Sequence, residues 1–300
     1  MIKPPRLEPG ATVGVAAISG PVRPARLEAG LESLRAKGYR VVEASNLRRR
    51  EGFLAGTDAE RAAGYRELLT DPAVDAVFFA RGGYGAARTL PLLDSDLLRA
   101  HPKIHLGGSD LTALFAFASG RVPLVTFYGP MVAVQMADGA DLDWEAVLAG
   151  NGDREVELSP SDRLAPGVGE GPLVGGCLSL VASLCGTPDA VQGAGSVFFW
   201  EDVGEEIYRL DRMLTQLERS GTFDRLEAML IGTIAPGRAG TESPAAVRAW
   251  LAERFEASPF PVLMGFPAGH SPDTRTIPLG AKVRLDADRG TVRFLEAGVA

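Results

Sequence analysis

The first half of the chain alternates short, almost wholly apolar segments with longer segments whose apolar residues recur at helical spacing. The apolar segments include ATVGVAAI near the N-terminus and VDAVFFA, in which only the leading aspartate is polar. A strand that is apolar on both faces belongs to a parallel sheet with helices on both sides, because only there are both faces buried. The pattern therefore predicts an α/β fold with a parallel-sheet N-terminal domain.

Helix-boundary signals support this alternation. The segment ARLEAGLESLRAKG ends in Gly38, a natural residue just past a helix C-terminus. The segment TDAERAAGYRELLTDP starts with Thr57, has Glu60 three residues later and has Pro72 just beyond its end. A threonine and a glutamate at that spacing form a capping box, so a helix is predicted to begin after Thr57.

The composition changes between residues 151 and 171, where Gly, Pro, Ser and Asp become frequent. We interpret this stretch as a linker between an N-terminal α/β domain, residues 1–150, and a smaller C-terminal domain, residues 172–300. The second domain reads as mixed α and β. Its closing segment predicts a hairpin whose turn contains residues 288–290.

Charge and cysteine usage narrow the possible partners and location. The chain has 31 basic and 38 acidic residues, a net charge of −7, without a basic block, which argues against nucleic acid or an anionic membrane surface as partner. No segment reaches the roughly 18 apolar residues of a transmembrane helix. Cys177 and Cys185 lie in one apolar segment that predicts a helix, and we interpret both as buried thiols. We therefore expect a cytoplasmic protein.

Ser109 lies in the stretch HLGGSDLTAL, at the seam of an apolar strand and an apolar helix. A sharp turn from strand to helix is the setting of a nucleophile elbow, which exposes a serine hydroxyl at the edge of the sheet. The alternative is structural, because Ser109 or Asp110 can act as the N-cap of the next helix. The stretch by itself leaves both interpretations open.

A second loop, FFARGGYGAAR, comes after another apolar strand and contains Gly82, Gly83 and Gly85. In parallel α/β sheets, ligands bind in the loops at the carboxyl ends of strands, where glycines allow close backbone approach. A nucleotide site is disfavoured because the chain has neither GxGxxG at this loop nor GxxxxGK[ST] anywhere. Glycines that form the loop without binding a ligand remain an alternative.

A serine nucleophile needs a base, and the chain has three histidines. His101 and His105 lie near the opposite end of the strand that leads to Ser109, so we do not expect them to contact it. His270 lies in a Gly- and Pro-rich loop after the strand PVLMGF, where it is either a base or an exposed loop residue. Three scattered histidines and two cysteines show no metal-ligand spacing, so we expect no metal.

The acid that orients the base is sought in FFWEDVGEE, at the end of an apolar strand. Asp202 and Glu205 have the spacing of a capping box for the next helix, which predicts structural roles for both. Glu201 is left over at the strand end, on the opposite face from Asp202. An acidic residue in that position needs a partner, and a histidine is one solution.

Taken together, these motifs resemble the LD-carboxypeptidase family of serine peptidases, which includes murein tetrapeptide carboxypeptidases and microcin-immunity peptidases. The resemblance runs through GFLAGTDAERA, DAVFFARGGYGAARTL, GGSDLTAL, VTFYGPM, GGCLSLVASLCGTP, FFWEDVGEEIYRLDRML and GFPAGHSPDTRTIPLGAKVRLD. Two positions depart from the family pattern. Gly108 stands where an aromatic residue is usual, and Cys177 stands where a small polar residue such as Asn is usual.

The resemblance implies a catalytic triad in the chain order Ser109, Glu201 and His270, split between the two domains. It also implies an oxyanion hole, which we assign to the backbone N–H groups of Gly83 and Asp110. No cofactor is implied. The cation that binds the substrate carboxylate stays open among three arginines: Arg81, Arg209 and Arg275.

The activity implied by the resemblance is release of the terminal D-alanine from a cytoplasmic murein tetrapeptide during cell-wall recycling, by a homodimeric enzyme. Two alternatives remain. One is a related serine hydrolase that cleaves another amide-linked compound, such as a peptide-nucleotide antibiotic. The other is a non-catalytic binding protein with the same two domains.

Overall fold

A computed structural model of the protein describes residues 1–139, 142–151, 154–236 and 243–300. The strands are β1 (Thr12–Ala16), β2 (Arg40–Glu43), β3 (Ala76–Phe79), β4 (Ile104–Gly107), β5 (Thr126–Tyr128), β6 (Arg154–Glu157), β7 (Arg163–Ala165), β8 (Val168–Cys177), β9 (Val197–Glu205), β10 (Ala228–Pro236), β11 (Val262–Leu263), β12 (Ile277–Leu279), β13 (Lys282–Asp286) and β14 (Thr291–Phe294). The α-helices are α1 (Pro24–Ala36), α2 (Asp58–Thr70), α3 (Ala86–Thr89), α4 (Ser95–Ala100), α5 (Thr112–Arg121), α6 (Trp144–Leu148), α7 (Leu178–Ser183), α8 (Ile207–Arg219) and α9 (Pro244–Phe255).

The chain divides into two compact units. The first comprises Met1–Asn151, Pro272–Pro278 and Gly298–Ala300, and the second comprises Gly152–Ser271 and Leu279–Ala297. The sequence predicts that all residues from 172 to the C-terminus belong to one domain. In the structure, however, residues 272–278 belong to the first unit, because β12 pairs with β5 at the edge of the first sheet.

The first unit contains a six-stranded sheet in the order β12-β5-β4-β3-β1-β2. The pairings that link β1 to β5 are all parallel, as the alternation of apolar strands and helices predicts. Since β2 lies on one side of β1 and β3 on the other, the strand order reverses between β1 and β3. Strands β1, β3 and β4 are wholly buried, which is the reason for their continuous apolar sequences.

The predicted capping box of α2 is confirmed. The Thr57 hydroxyl accepts a hydrogen bond from the backbone N–H of Glu60, and the Glu60 carboxylate accepts one from the backbone N–H of Thr57. Gly38, just after α1, has a φ of +89°, a left-handed conformation that glycine adopts without strain. In the part of the chain that the structure describes, no helix is long and apolar enough to cross a membrane.

The second unit is built on a mixed eight-stranded sheet in the order β6-β14-β13-β8-β9-β10-β11-β7. Strands β8 to β11 pair in parallel, and the remaining pairings are antiparallel. The predicted hairpin at the C-terminus is confirmed as β13 and β14, with Gly290 at a φ of +70° in its turn. Helices α8 and α9 bury their apolar faces in the same core as Trp200.

Two local expectations can be compared with the structure. The segment 151–171, interpreted as a linker, contains β6, β7 and the start of β8, which pair with strands of the second sheet. Residues 152 and 153 lie outside the described residues. Neither cysteine is in a disulfide, but Cys177 ends β8 rather than lying in a helix, and Cys185 is half-buried rather than buried. Turn residues and short strands share a polar, glycine-rich composition, so the sequence does not separate them.

Gly30 lies in the interior of α1, where glycine is ordinarily unfavourable relative to alanine. A β-carbon added at this position would lie 2.0 Å from the carbonyl oxygen of Val132 and 2.7 Å from its carbonyl carbon. The obstacle is backbone, which cannot rotate away as a side chain can. Gly30 therefore allows the helix to pack directly against the chain segment at Val132.

We expect Gly30→Ala to destabilise the protein by about 1–3 kcal/mol, because overpacking outweighs the gain in helix propensity. The matched control is Gly120→Ala in α5, where a β-carbon meets nothing within 4 Å. That substitution is expected to be neutral or to stabilise by up to about 1 kcal/mol. The measurement is thermal unfolding of both variants and the parent. A Gly30 variant as stable as the Gly120 variant would contradict the close packing.

Candidate active site

Ser109 comes directly after β4 and Gly108 and has an unusual backbone conformation. Its φ is +58°, in the left-handed region that L-residues other than Gly, Asn and Asp seldom adopt. Its backbone N–H donates a 2.8 Å hydrogen bond to the hydroxyl of Tyr128 on the neighbouring strand β5. Strain of this kind persists only where the surroundings enforce it, and it concentrates at functional sites.

The structural alternative for this turn is wrong. Ser109 starts a short 3-10 helix that leads into α5, and the N-cap position of α5 is Leu111, which makes no side-chain cap. Neither Ser109 nor Asp110 therefore acts as the N-cap of the helix. The serine side chain is half-buried at the end of a buried strand, as in a nucleophile elbow.

Gly82, in the loop after β3, lies against the Ser109 side chain. A β-carbon at position 82 would lie 2.7 Å from Ser109 Cβ and 2.9 Å from Ser109 Oγ, so only glycine fits there. The same position would be 3.1 Å from the backbone nitrogen of Asp110. The next residue, Gly83, is exposed and has a φ of +113°. The sequence indicates a role for Gly83 but does not single out Gly82, although the paired glycines are the signal that could have found it.

The side chain of Asp110 is buried beneath this turn and ties two loops to it. It accepts a 2.6 Å hydrogen bond from Ser19 Oγ, after β1, and a 2.8 Å hydrogen bond from the backbone N–H of Ala86, after β3. Burial raises the pKa of the Asp110 carboxyl, and the two hydrogen bonds and the charge of Arg61 oppose that rise. Arg61, itself buried, donates to the carbonyl oxygens of Ile18 and Gly85. The loops after β1, β3 and β4 are thus joined by one buried polar network.

In the second unit, Glu201 and His270 form a hydrogen-bonded pair. Glu201 is 0% exposed, and its Oε2 lies 2.8 Å from His270 Nδ1. The same oxygen accepts a 3.0 Å hydrogen bond from the backbone N–H of His270. Because an ionised carboxylate is only an acceptor, Nδ1 carries the proton of this hydrogen bond and Nε2 is the ring nitrogen left for proton exchange.

Glu201 raises the basicity of the His270 imidazole. Burial of His270 favours its neutral form, but the hydrogen bond and charge of Glu201, with a smaller contribution from the charge of Asp202, outweigh burial and raise the pKa of His270. Gly269 leaves room for the carboxylate of Glu201, and Gly232 packs beside the Cβ of the same residue. A β-carbon at Gly269, whose φ is +135°, would lie 2.5 Å from Glu201 Oε2, and one at Gly232 would lie 3.0 Å from Glu201 Cβ.

Asp202 and Glu205 do not form the predicted capping box. Strand β9 continues through Glu205, and the N-cap of α8 is Glu206, which makes no side-chain cap. Asp202 instead accepts 2.7 Å hydrogen bonds from the backbone N–H groups of Ser179, in the first turn of α7, and of Val203. Burial raises the pKa of Asp202 to about 6. Its role is structural, as expected, but the helix that it caps is α7, which comes before it in the sequence. The pairing of β8 with β9 brings Asp202 next to the start of that helix.

The surroundings of His105 and Cys177 do not favour a catalytic role for either side chain. His105 is buried in β4, between the hydroxyl of Tyr65 and the carbonyl oxygen of Lys103, each 2.8 Å away, and burial lowers its pKa to about 4. Burial raises the pKa of the Cys177 thiol well above its usual range, so the reactive thiolate form is disfavoured. Within residues 1–139, 142–151, 154–236 and 243–300, no three His, Cys, Asp or Glu residues are grouped so as to hold a metal ion.

Comparison with known proteins gives a consistent result. The LD-carboxypeptidase N-terminal domain family matches residues 13–129, and the LD-carboxypeptidase C-terminal domain family matches residues 170–285. A putative carboxypeptidase of Streptomyces coelicolor is 43% identical, with 97% of this chain and 96% of the relative covered. A probable murein peptide carboxypeptidase of Bacillus subtilis is 35% identical, with 99% and 95% covered. The fold is also similar to that of MccF, the microcin C7 self-immunity protein of Escherichia coli. The solved structure of MccF with glutamyl sulfamoyl guanosine superposes on this chain with a TM-score of 0.91, at 25% identity and with 100% of both chains covered.

The Glu201–His270 pair yields a prediction that needs no substrate. In Glu201→Gln, the pKa of His270 should fall below its parent value, because the charge is lost while burial remains. In Asp202→Asn the fall should be smaller, since Asp202 contributes only a charge. NMR titration of the imidazole signals measures both, and the pKa of buried His105 serves as the internal reference. An unchanged pKa of His270 in Glu201→Gln would contradict the pairing.

Proposed function

Because the chain belongs to the LD-carboxypeptidase family of peptidases, we propose that it is a serine-type LD-carboxypeptidase acting on cytoplasmic murein tetrapeptide. The bond cut joins the L-centre of a diaminopimelate or lysine residue to the terminal D-alanine. The observation that carries the proposal is the buried Glu201–His270 pair, which holds an imidazole with Nδ1 engaged and a raised pKa. This arrangement suits a general base that activates a hydroxyl.

In the proposed mechanism, Ser109 of the first unit and the Glu201–His270 pair of the second act as one triad. Nε2 of His270 takes the proton from Ser109 Oγ as the oxygen attacks the scissile carbonyl. The same nitrogen then protonates the departing amine of D-alanine, and water hydrolyses the acyl-enzyme by the reverse transfers. Glu201 holds the imidazole and stabilises its cationic form.

The negative charge on the tetrahedral intermediate needs backbone donors close to Ser109. We assign this role to the N–H groups of Gly83 and Asp110. Three features support the assignment: the contact of Gly82 with Ser109, the left-handed φ of Ser109, and the buried Asp110 carboxylate that joins the loops carrying both donors. Removing one such donor costs about 3–4 kcal/mol in other hydrolases.

A second candidate function is hydrolysis of an aminoacyl- or peptidyl-nucleotide. It is favoured by the TM-score of 0.91 to the MccF structure, whose ligand is glutamyl sulfamoyl guanosine. The two functions share the nucleophile and differ in the leaving group beyond the scissile bond. Parallel assays separate them: release of D-alanine from purified murein tetrapeptide supports the first, and cleavage of an aminoacyl sulfamoyl nucleoside without D-alanine release supports the second.

We expect Ser109→Ala to lower kcat on murein tetrapeptide by on the order of 10⁴-fold or more, because the nucleophile is lost while the backbone is unchanged. The control is Ser183→Ala, at an exposed serine in α7, which should keep the parent activity. Steady-state release of D-alanine and thermal unfolding are measured together. A Ser109 variant that keeps more than a tenth of the parent activity shows that another group is the nucleophile.

The pH dependence is set by the raised pKa of His270. The imidazole acts as a base only when neutral, so it is inactive below its pKa, and a raised pKa moves the rising limb of kcat/KM above the ordinary value near 6.5. The rate should climb across about pH 6–8. In Glu201→Gln the limb should move to lower pH as the maximum rate falls. EDTA should leave the profile unchanged, because the serine mechanism needs no metal; loss of activity that zinc restores would overturn it.

A further inference from the structure

The loops after β1 and β3 bound the point in the first sheet where the strand order reverses. In open α/β sheets, ligands bind outside the carboxyl ends of the strands at this point. Arg81 lies there, two residues after the end of β3. Its Nε donates to the carbonyl oxygen of Gly82 and its Nη1 to that of Pro21, each at 3.2 Å. The guanidinium therefore bridges the loop after β1 and the loop after β3.

Arg81 differs from the other two candidate arginines in its hydrogen-bond partners, as far as the described residues show. Arg209 lies 3.6 Å from a carboxylate oxygen of Glu205, and Arg275 lies 3.8 Å from one of Asp143. Arg81 binds backbone carbonyl oxygens only, and no carboxylate lies within 4 Å of it among the residues that the structure describes. A guanidinium has five N–H donors, and these two hydrogen bonds leave donors for an anion.

Arg81 is also tied to the nucleophile through its neighbour. Gly82, the next residue, is the glycine whose added β-carbon would lie 2.9 Å from Ser109 Oγ. The Arg81 side chain is folded over the same loop, with Nη2 3.3 Å from where a β-carbon of Gly83 would lie. A cation is therefore held one residue from the backbone that touches the serine, and it is fixed by hydrogen bonds rather than extended into solvent.

We propose that Arg81 binds the free C-terminal carboxylate of the substrate and thereby makes the enzyme an exopeptidase. The inference rests on the proposed function, in which a single residue lies beyond the scissile bond. The terminal carboxylate is then only a few bonds from the carbonyl that Ser109 attacks. A cation that binds this carboxylate must therefore lie beside the nucleophile. Arginine suits this role because its planar fork matches a carboxylate. Arg81 thus ranks above Arg209 and Arg275, whose charges are already paired.

The test compares the tetrapeptide with its C-terminal carboxamide, which is neutral and otherwise the same. The parent should prefer the acid in kcat/KM by about 10- to 100-fold, the range expected for hydrogen bonds to a charged group. Arg81→Gln should abolish the preference by slowing the acid far more than the amide, and Arg81→Lys should keep part of it. Arg88→Gln, which removes an exposed cation paired with Asp58, is the control and should leave the preference intact.

The ratio of acid to amide distinguishes recognition from damage to the loop. If Arg81→Gln slows the hydrolysis of both substrates equally, or if the parent shows no preference, Arg81 does not bind the carboxylate.

A second readout is independent of the peptide: the rate at which Ser109 is labelled by fluorophosphonates that carry either a carboxylate or a carboxamide. If no peptide is hydrolysed, the proposed function fails, but loss of the parent's labelling preference in Arg81→Gln would still support an anion site. Equal labelling by both probes in the parent would overturn it.

Discussion

The buried carboxylate of Glu201 is the constraint that positions His270 in the second unit. A buried charge is very costly unless it is paired and hydrogen-bonded, and here one oxygen accepts from both the ring and the backbone N–H of His270. The double contact fixes where the loop lies and how the ring is turned. Gly269 reflects the same constraint, because a side chain at this position would collide with the Glu201 carboxylate. The orientation of the candidate base is therefore a consequence of satisfying a buried charge.

A second buried carboxylate has a corresponding role in the first unit. Asp110 receives donors from the loops after β1 and β3, so the turn at Ser109 cannot move independently of them. The left-handed backbone of Ser109 costs roughly 1–2 kcal/mol, which this network and the hydrogen bond to Tyr128 can offset. The two carboxylates act differently. Asp110 joins backbone segments, whereas Glu201 also adjusts the basicity of a side chain.

Family membership and site geometry address different questions about function. Membership establishes a peptidase of the LD-carboxypeptidase type, and relatives bear both murein and microcin names. The proposed serine nucleophile would serve either activity, so the proposal makes the choice among substrates depend on groups other than Ser109, Glu201 and His270. In the first unit the group proposed for this choice is Arg81, which lies at the reversal of strand order and, among the described residues, binds only backbone carbonyl oxygens.

Much of this protein was determined by local sequence. Continuous apolar strands separated by amphipathic helices determined the parallel sheet, the capping residues determined the start of α2, and the position of Ser109 after an apolar strand suggested its role. These features depend on neighbours in the chain, so periodicity reveals them. Only the tertiary structure decided that Asp202 caps α7, that β12 returns to the first sheet, that Gly82 rather than Gly83 abuts the serine, and that Arg81 lacks an acidic partner among the described residues. Each of these depends on contacts between residues far apart in the chain, which a single sequence does not encode in any local pattern.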